Sequence, residues 1–187
     1  MDISSLIGTM MSSDALQSIG KTAKLDDAAV KNVLTAALPS LLSGAKAQSE
    51  DTANGFAEAL LSHGEKDTSD LAAFLDKVDL EDGGKIIGHL LGGSKNDEIS
   101  SIARAAGVDA KDTTSVMSAA APLLMSLLGK QAASEASDKS ASAVGSVASL
   151  FLKNADLGDL LGGLLGGKDD KKSGLNVLGI LGKLLKK

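Results

Sequence analysis

Two stretches of this 187-residue chain repeat one another at a fixed offset. Ile19, Ala23, Asp26, Val33, Ala36, Ala37, Pro39, Leu41 and Ser43 fall on Ile102, Ala106, Asp109, Val116, Ala119, Ala120, Pro122, Leu124 and Ser126; 102 minus 19 and 126 minus 43 both give 83. Upstream, Ile7 and Gly8 meet Ile87 and Gly88 once a gap of three residues is placed among turn residues. Self-similarity of this kind marks one supersecondary unit used twice. The copies run over about residues 6–48 and 86–131.

Each copy reads as a short helix, a second helix, a turn and a third helix. Asp26 stands where an N-cap carboxylate accepts the orphan amide protons of a helix beginning at Asp27, and Leu25 is placed to staple onto Val30. Val108-Asp109 repeats the device without an apolar stapling partner. Val30, Val33, Leu34, Ala37, Leu38 and Leu41 then recur at helical spacing, so one face is apolar and has to be buried. Pro39 and Pro122 interrupt these runs; each lacks an amide donor, which predicts a kink or the first turn of a new helix.

Between the copies two more helices are predicted, over Asp51 to His63 and Ser69 to Val78. Phe56, Ala59, Leu60 and His63 share a face of the first, and Leu71, Phe74, Leu75 and Val78 a face of the second. The fold class is therefore all-α: a multihelical domain over 1–131 built from two related helical units. An Ala/Ser-rich linker or solvated helix follows over 132–156, and a Gly/Leu-rich amphipathic tail over 157–187.

Composition removes several chemistries. Without Cys there is no disulfide, thiolate zinc site or cysteine nucleophile. Three Phe with no Trp or Tyr leave little for base stacking. Met1 to Gly20 has neither the basic region nor the apolar run of a secretory signal, and no apolar run reaches the roughly 20 residues needed to span a bilayer. A cytoplasmic protein is expected, with a peripheral position at the inner membrane as the membrane-facing version of that reading.

No catalytic, cofactor-binding or metal site is predicted. His63, before Gly64 at a helix end, suits an imidazolium facing the terminal carbonyls. His89, flanked by Gly88, Leu90 and Leu91, reads as a hydrogen-bonded core residue and is the single candidate for a chemical role. Gly162 to Asp169 matches a phosphate-binding loop through Lys168, but Asp169 stands where Ser or Thr holds magnesium. Asp79, Glu81 and Asp82 lack the closing Glu of a calcium loop and read as carboxylates at a helix N-terminus.

The tail carries the strongest charge asymmetry. Lys168 to Lys187 holds six Lys against two Asp, or +4, so a chain of net charge −5 has −9 on the rest. Leu157, Leu160, Leu161, Leu164 and Leu165 form one amphipathic stripe. Val177, Ile180, Leu181, Leu184 and Leu185 form a second, accompanied by Lys183, Lys186 and Lys187. These eight residues are the candidate contacts with an anionic membrane surface, a protein partner or a second copy. Small-residue spacing at Gly158, Gly162 and Gly166 permits close helix contact and self-association into a homo-oligomer.

The segments Leu38-Pro39-Ser40-Leu41-Leu42-Ser43-Gly44, Gly84 to Gly93 and Ala121 to Gly129 resemble the YidB-like family of bacterial proteins, over about Ser5 to Gln131. The resemblance implies a multihelical fold with a three-helix, homeodomain-like element and no established function. Some relatives carry peptidoglycan-binding envelope domains; none is read here. The leading expectation is a non-enzymatic helical interaction module whose tail mediates self-association or peripheral membrane attachment. A homeodomain-like nucleic-acid binder is the alternative, but the third helices, Asp27 to Leu38 and Ala110 to Ala121, carry few basic residues. A membrane-active, toxin-like factor is the other. No small-molecule substrate is indicated.

Overall fold

The computed structural model describes residues 3–50 and 55–135. Among these residues the secondary structure is helical throughout: α1 (Ile3–Met10), α2 (Ser13–Ala23), α3 (Asp27–Glu50), α4 (Phe56–Gly64), α5 (Leu71–Leu75), α6 (Leu80–Leu91), α7 (Lys95–Ala106) and α8 (Ala110–Glu135), with a single 3₁₀ turn at Gly92–Ser94. The linker and tail after Glu135, including the candidate contacts from Val177 to Lys187, lie outside the described residues.

The turn before each third helix is built identically in α2–α3 and α7–α8. Lys24 (φ 61°) and Gly107 (φ 68°) both close the preceding helix in the left-handed conformation. The next amides, of Leu25 and Val108, donate to Gly20 O and Ala103 O. Asp26 Oδ1 then accepts from Ala29 N, and Asp109 Oδ1 from Asp112 N, each at 2.8 Å. A left-handed C-cap followed by a carboxylate N-cap satisfies orphan carbonyls and amides at one corner, which fixes the angle at which each third helix leaves.

From there the two third helices diverge. Along α3, Val30, Val33, Leu34, Ala37, Leu38, Leu41, Leu42 and Ala45 are fully buried, while Lys31, Asn32, Ser43 and Lys46 face water. In α8 every residue from Val116 to Gly129 is buried, and all seven other α-helices touch it. That stretch holds no charged residue, and a helix apolar on all sides belongs at the centre. Its two serines sit in the core; Ser126 Oγ donates to Pro122 O at 2.9 Å.

Pro39 and Pro122 lie inside uninterrupted helices, so neither begins a new one. Buried neighbours on both sides of each proline, Leu38 and Leu41 in α3 and Ala121 and Leu123 in α8, hold the helix together across one missing hydrogen bond. At Pro122 the carbonyl left without a helical donor is that of Ser118. The closest crossing in the core falls on this group. A Cβ on Gly83 of α6 would overlap the Ser118 carbonyl, so α6 lies against α8 backbone to backbone. A Cα–H facing a carbonyl oxygen supplies a weak donor where the amide is absent. A similar crossing seats α4 on α8: a Cβ on Gly129 would stand 2.6 Å from Gly64 N.

Of the two intervening helices, α5 is shorter than predicted, while residues 51–54 of the other lie outside the described residues. α4 buries Phe56, Ala57 and Leu60 and leaves Ala59 exposed, so its inward face is turned by one position from the expected one. α5 is five residues long; Leu75 is buried, Leu71 and Phe74 are half-buried on the core, and Val78 follows the helix end. The last helix extends beyond Gln131 with Gln131 and Ala132 buried.

Candidate functional site

Local capping positions a cleft beside α5. After α4 ends, Asp67 Oδ1 accepts from Ser69 N at 2.9 Å, and Lys130 of α8 donates to Thr68 Oγ1 at 2.6 Å, tying the connecting loop to the central helix. Asp70 caps α5 by accepting from Ala73 N at 2.9 Å, and Asp79 caps α6 by accepting from Glu81 N at 2.8 Å. Lys21 of α2 reaches Asp76 at 2.8 Å and holds α5 from the other side. The Gly83 crossing then sets how closely the start of α6 approaches α8.

Between these elements opens a cleft of about 740 Å³, within the range of roughly 300–1,000 Å³ typical of ligand clefts. Ala73, Phe74, Val78 and Pro122 give it an apolar floor; Lys66, Asp67, Asp70, Lys77, Asp79, Asp82 and Lys85 form a charged rim. Carboxylates outnumber ammonium groups four to three there, and Lys85 is paired with Glu81 at 3.0 Å. Backbone and side-chain hydrogen bonds from Ser69 hold the Asp67 carboxyl below its ordinary range. An apolar floor inside a mixed-charge rim suits an amphipathic segment rather than a small anion.

His63 adjoins this region through its charges. It is half-buried at the end of α4, and its Nδ1 is buried with no hydrogen-bond partner. Burial lowers its pKa below 6.5, Lys66 lowers it further, and Asp82 opposes them. The helix-capping imidazolium expected from its position is thus disfavoured by desolvation and by the neighbouring lysine. Lys66 and Asp82 both line the cleft.

His89 was expected in the core and is instead exposed in the last turn of α6, outside the cleft. Its neighbours Leu90 and Leu91 are buried, so the helix turns the imidazole outward. Asp79, Glu81 and Asp82 occupy the N-cap and first turn of α6, as their spacing suggested. Among the described residues no three His, Cys, Asp or Glu side chains are grouped so as to hold a metal ion, and no helix is long and apolar enough to cross a membrane. The cleft itself was missed in the sequence: Phe74 and Val78 carried the signal, but as members of a packing face.

A family model described as a bacterial protein of unknown function (DUF937) matches residues 5–131, more than half of the chain. The chain belongs to this family, the YidB-like proteins. No curated protein and no solved structure matches it. The whole cleft, from Lys66 to Pro122, lies inside the DUF937 region, as do both copies of the capped turn.

Proposed function

We propose that this DUF937 protein is a non-enzymatic interaction module that works through protein contacts, with the cleft over Pro122 as its contact surface. The observation that carries the reading is the apolar floor: Phe74 and Val78 pack on the core yet stay partly exposed, and they line one cleft together with Pro122. An apolar strip flanked by alternating charges receives the apolar face of a helix while its rim selects the partner's charges. In this reading the tail from Leu157 to Lys187 is the attachment element, bringing copies together or resting on an anionic membrane face.

The burial of α8 from Val116 to Gly129 and the net charge of −5 support protein contacts over a nucleic-acid groove. The attachment role is tested by sedimenting the full chain, and a chain ending at Ser142, with anionic and with neutral vesicles, alongside the sedimentation velocity of each protein alone. Pelleting of the full chain with anionic vesicles only, or a larger assembly that the shorter chain does not form, is the expected result. Identical behaviour of the two chains in both measurements overturns the tail's role.

A further inference from the structure

The chain beyond Glu135 supplies an occupant whose chemistry matches this cleft. We infer that the last helical stripe, centred on Ile180, Leu181 and Leu184, docks in the α5–α6 cleft of its own domain. The inference rests on the reading of that cleft as a receptor for an amphipathic helix, and it names the occupant.

The stripe presents branched aliphatic side chains at helical spacing, which suits a floor made by Phe74, Val78 and Pro122. After Asp170 the chain has five lysines and no acidic side chain, whereas the remainder of the protein is strongly acidic. The rim carries four carboxylates against three lysines, one of them, Lys85, already paired with Glu81, which favours a lysine-bearing occupant.

From Pro122 to the end of α8 at Glu135 is about 20 Å of helix, at roughly 1.5 Å per residue. A random coil as long as the 39 residues from Glu135 to Gly174 has a root-mean-square reach of about 35 Å. Span and reach are comparable, the condition under which a tethered segment has an effective concentration on the order of millimolar. At micromolar protein, contact within one chain then outcompetes contact between chains, so the docked stripe has to leave the cleft before the tail can attach to a second copy or a membrane.

The absence of native cysteine makes the test direct. In the full chain, Lys77→Cys on the cleft rim is paired with Lys183→Cys in the stripe, and disulfide formation under mild oxidation is followed at micromolar protein. Lys31→Cys, exposed on α3 away from the cleft, replaces Lys77→Cys as the reference. The expected result is an intramolecular disulfide in the monomer, formed at least about tenfold faster than in the reference pair. Disulfide-linked dimers only, or equal rates for the two pairs, overturn the inference. In that event a synthetic peptide of residues 174–187 is titrated into the labelled full chain. Shifts confined to the amides around Phe74 and Val78 leave the cleft standing as a helix receptor; no shifts remove that reading too.

Discussion

Replacing Gly83 with alanine adds one methyl group at the point where α6 lies on the central helix. The new Cβ falls 2.7 Å from the Ser118 carbonyl carbon and 3.0 Å from its Cα, and closer still to the carbonyl oxygen. Ordinary carbon contacts begin at about 3.5 Å, so α6 has to retreat by at least about 0.8 Å, a gap that forfeits a quarter to a half of the dispersion energy of each contact it loosens. The obstacle is backbone inside a buried helix, which has no rotamer to change. Overpacking of this kind costs about 1–3 kcal/mol, against a gain of up to about 1 kcal/mol from placing alanine in a helix. Overlap with a backbone that cannot move aside puts the cost in the upper half of that range, so the expected net loss is about 1–2 kcal/mol. Gly84→Ala is the matched comparison. Its Cβ meets only Ser118 Oγ at 3.7 Å, an ordinary contact, so it keeps the propensity gain of up to about 1 kcal/mol. Urea unfolding followed by far-UV circular dichroism, with a common slope, should place the midpoint of Gly83→Ala below the parent and that of Gly84→Ala at or above it. Equal shifts in the two variants, or a Gly83→Ala variant as stable as the parent, refute the backbone crossing.

Two further perturbations follow from the turn and from the buried imidazole. Lys24 holds φ 61° where its repeat partner Gly107 holds φ 68°. A side chain in this conformation is strained, so Lys24→Gly should raise the urea midpoint by up to about 1 kcal/mol equivalent while Gly107→Lys lowers it; opposite signs would sink the shared geometry. His63 has a native pKa below its unfolded value of 6.5, so the unfolded chain binds the proton more readily. Its contribution to stability is complete above pH 6.5 and is lost as pH falls through the native value. His63→Gln should remove that part of the pH profile, and superimposable profiles of the two proteins would contradict the burial of Nδ1.

The parts of this fold that could be read in advance are those fixed by neighbours in the chain. An N-cap carboxylate and an apolar helical stripe act within a few residues, so Asp26, Asp109 and the inward face of α3 could be placed from spacing alone. The cleft depends on contacts of another kind. Its floor is set by a glycine Cα against a carbonyl that Pro122 leaves without a helical donor, and in sequence the two residues register only as a weak helix former and an expected helix break. Backbone crossings leave no side-chain pattern to detect. Phe74 and Val78 were visible as an apolar face, but whether such a face is sealed or left open depends on where α5 stops and on how closely α6 approaches α8. Gly83 therefore links the stability and the recognition readings: its replacement by alanine should widen the cleft as well as weaken the core. If the cleft is the contact surface, Gly83→Ala should alter docking at Phe74 and Val78 at denaturant concentrations where the protein is still folded, and Gly84→Ala should not.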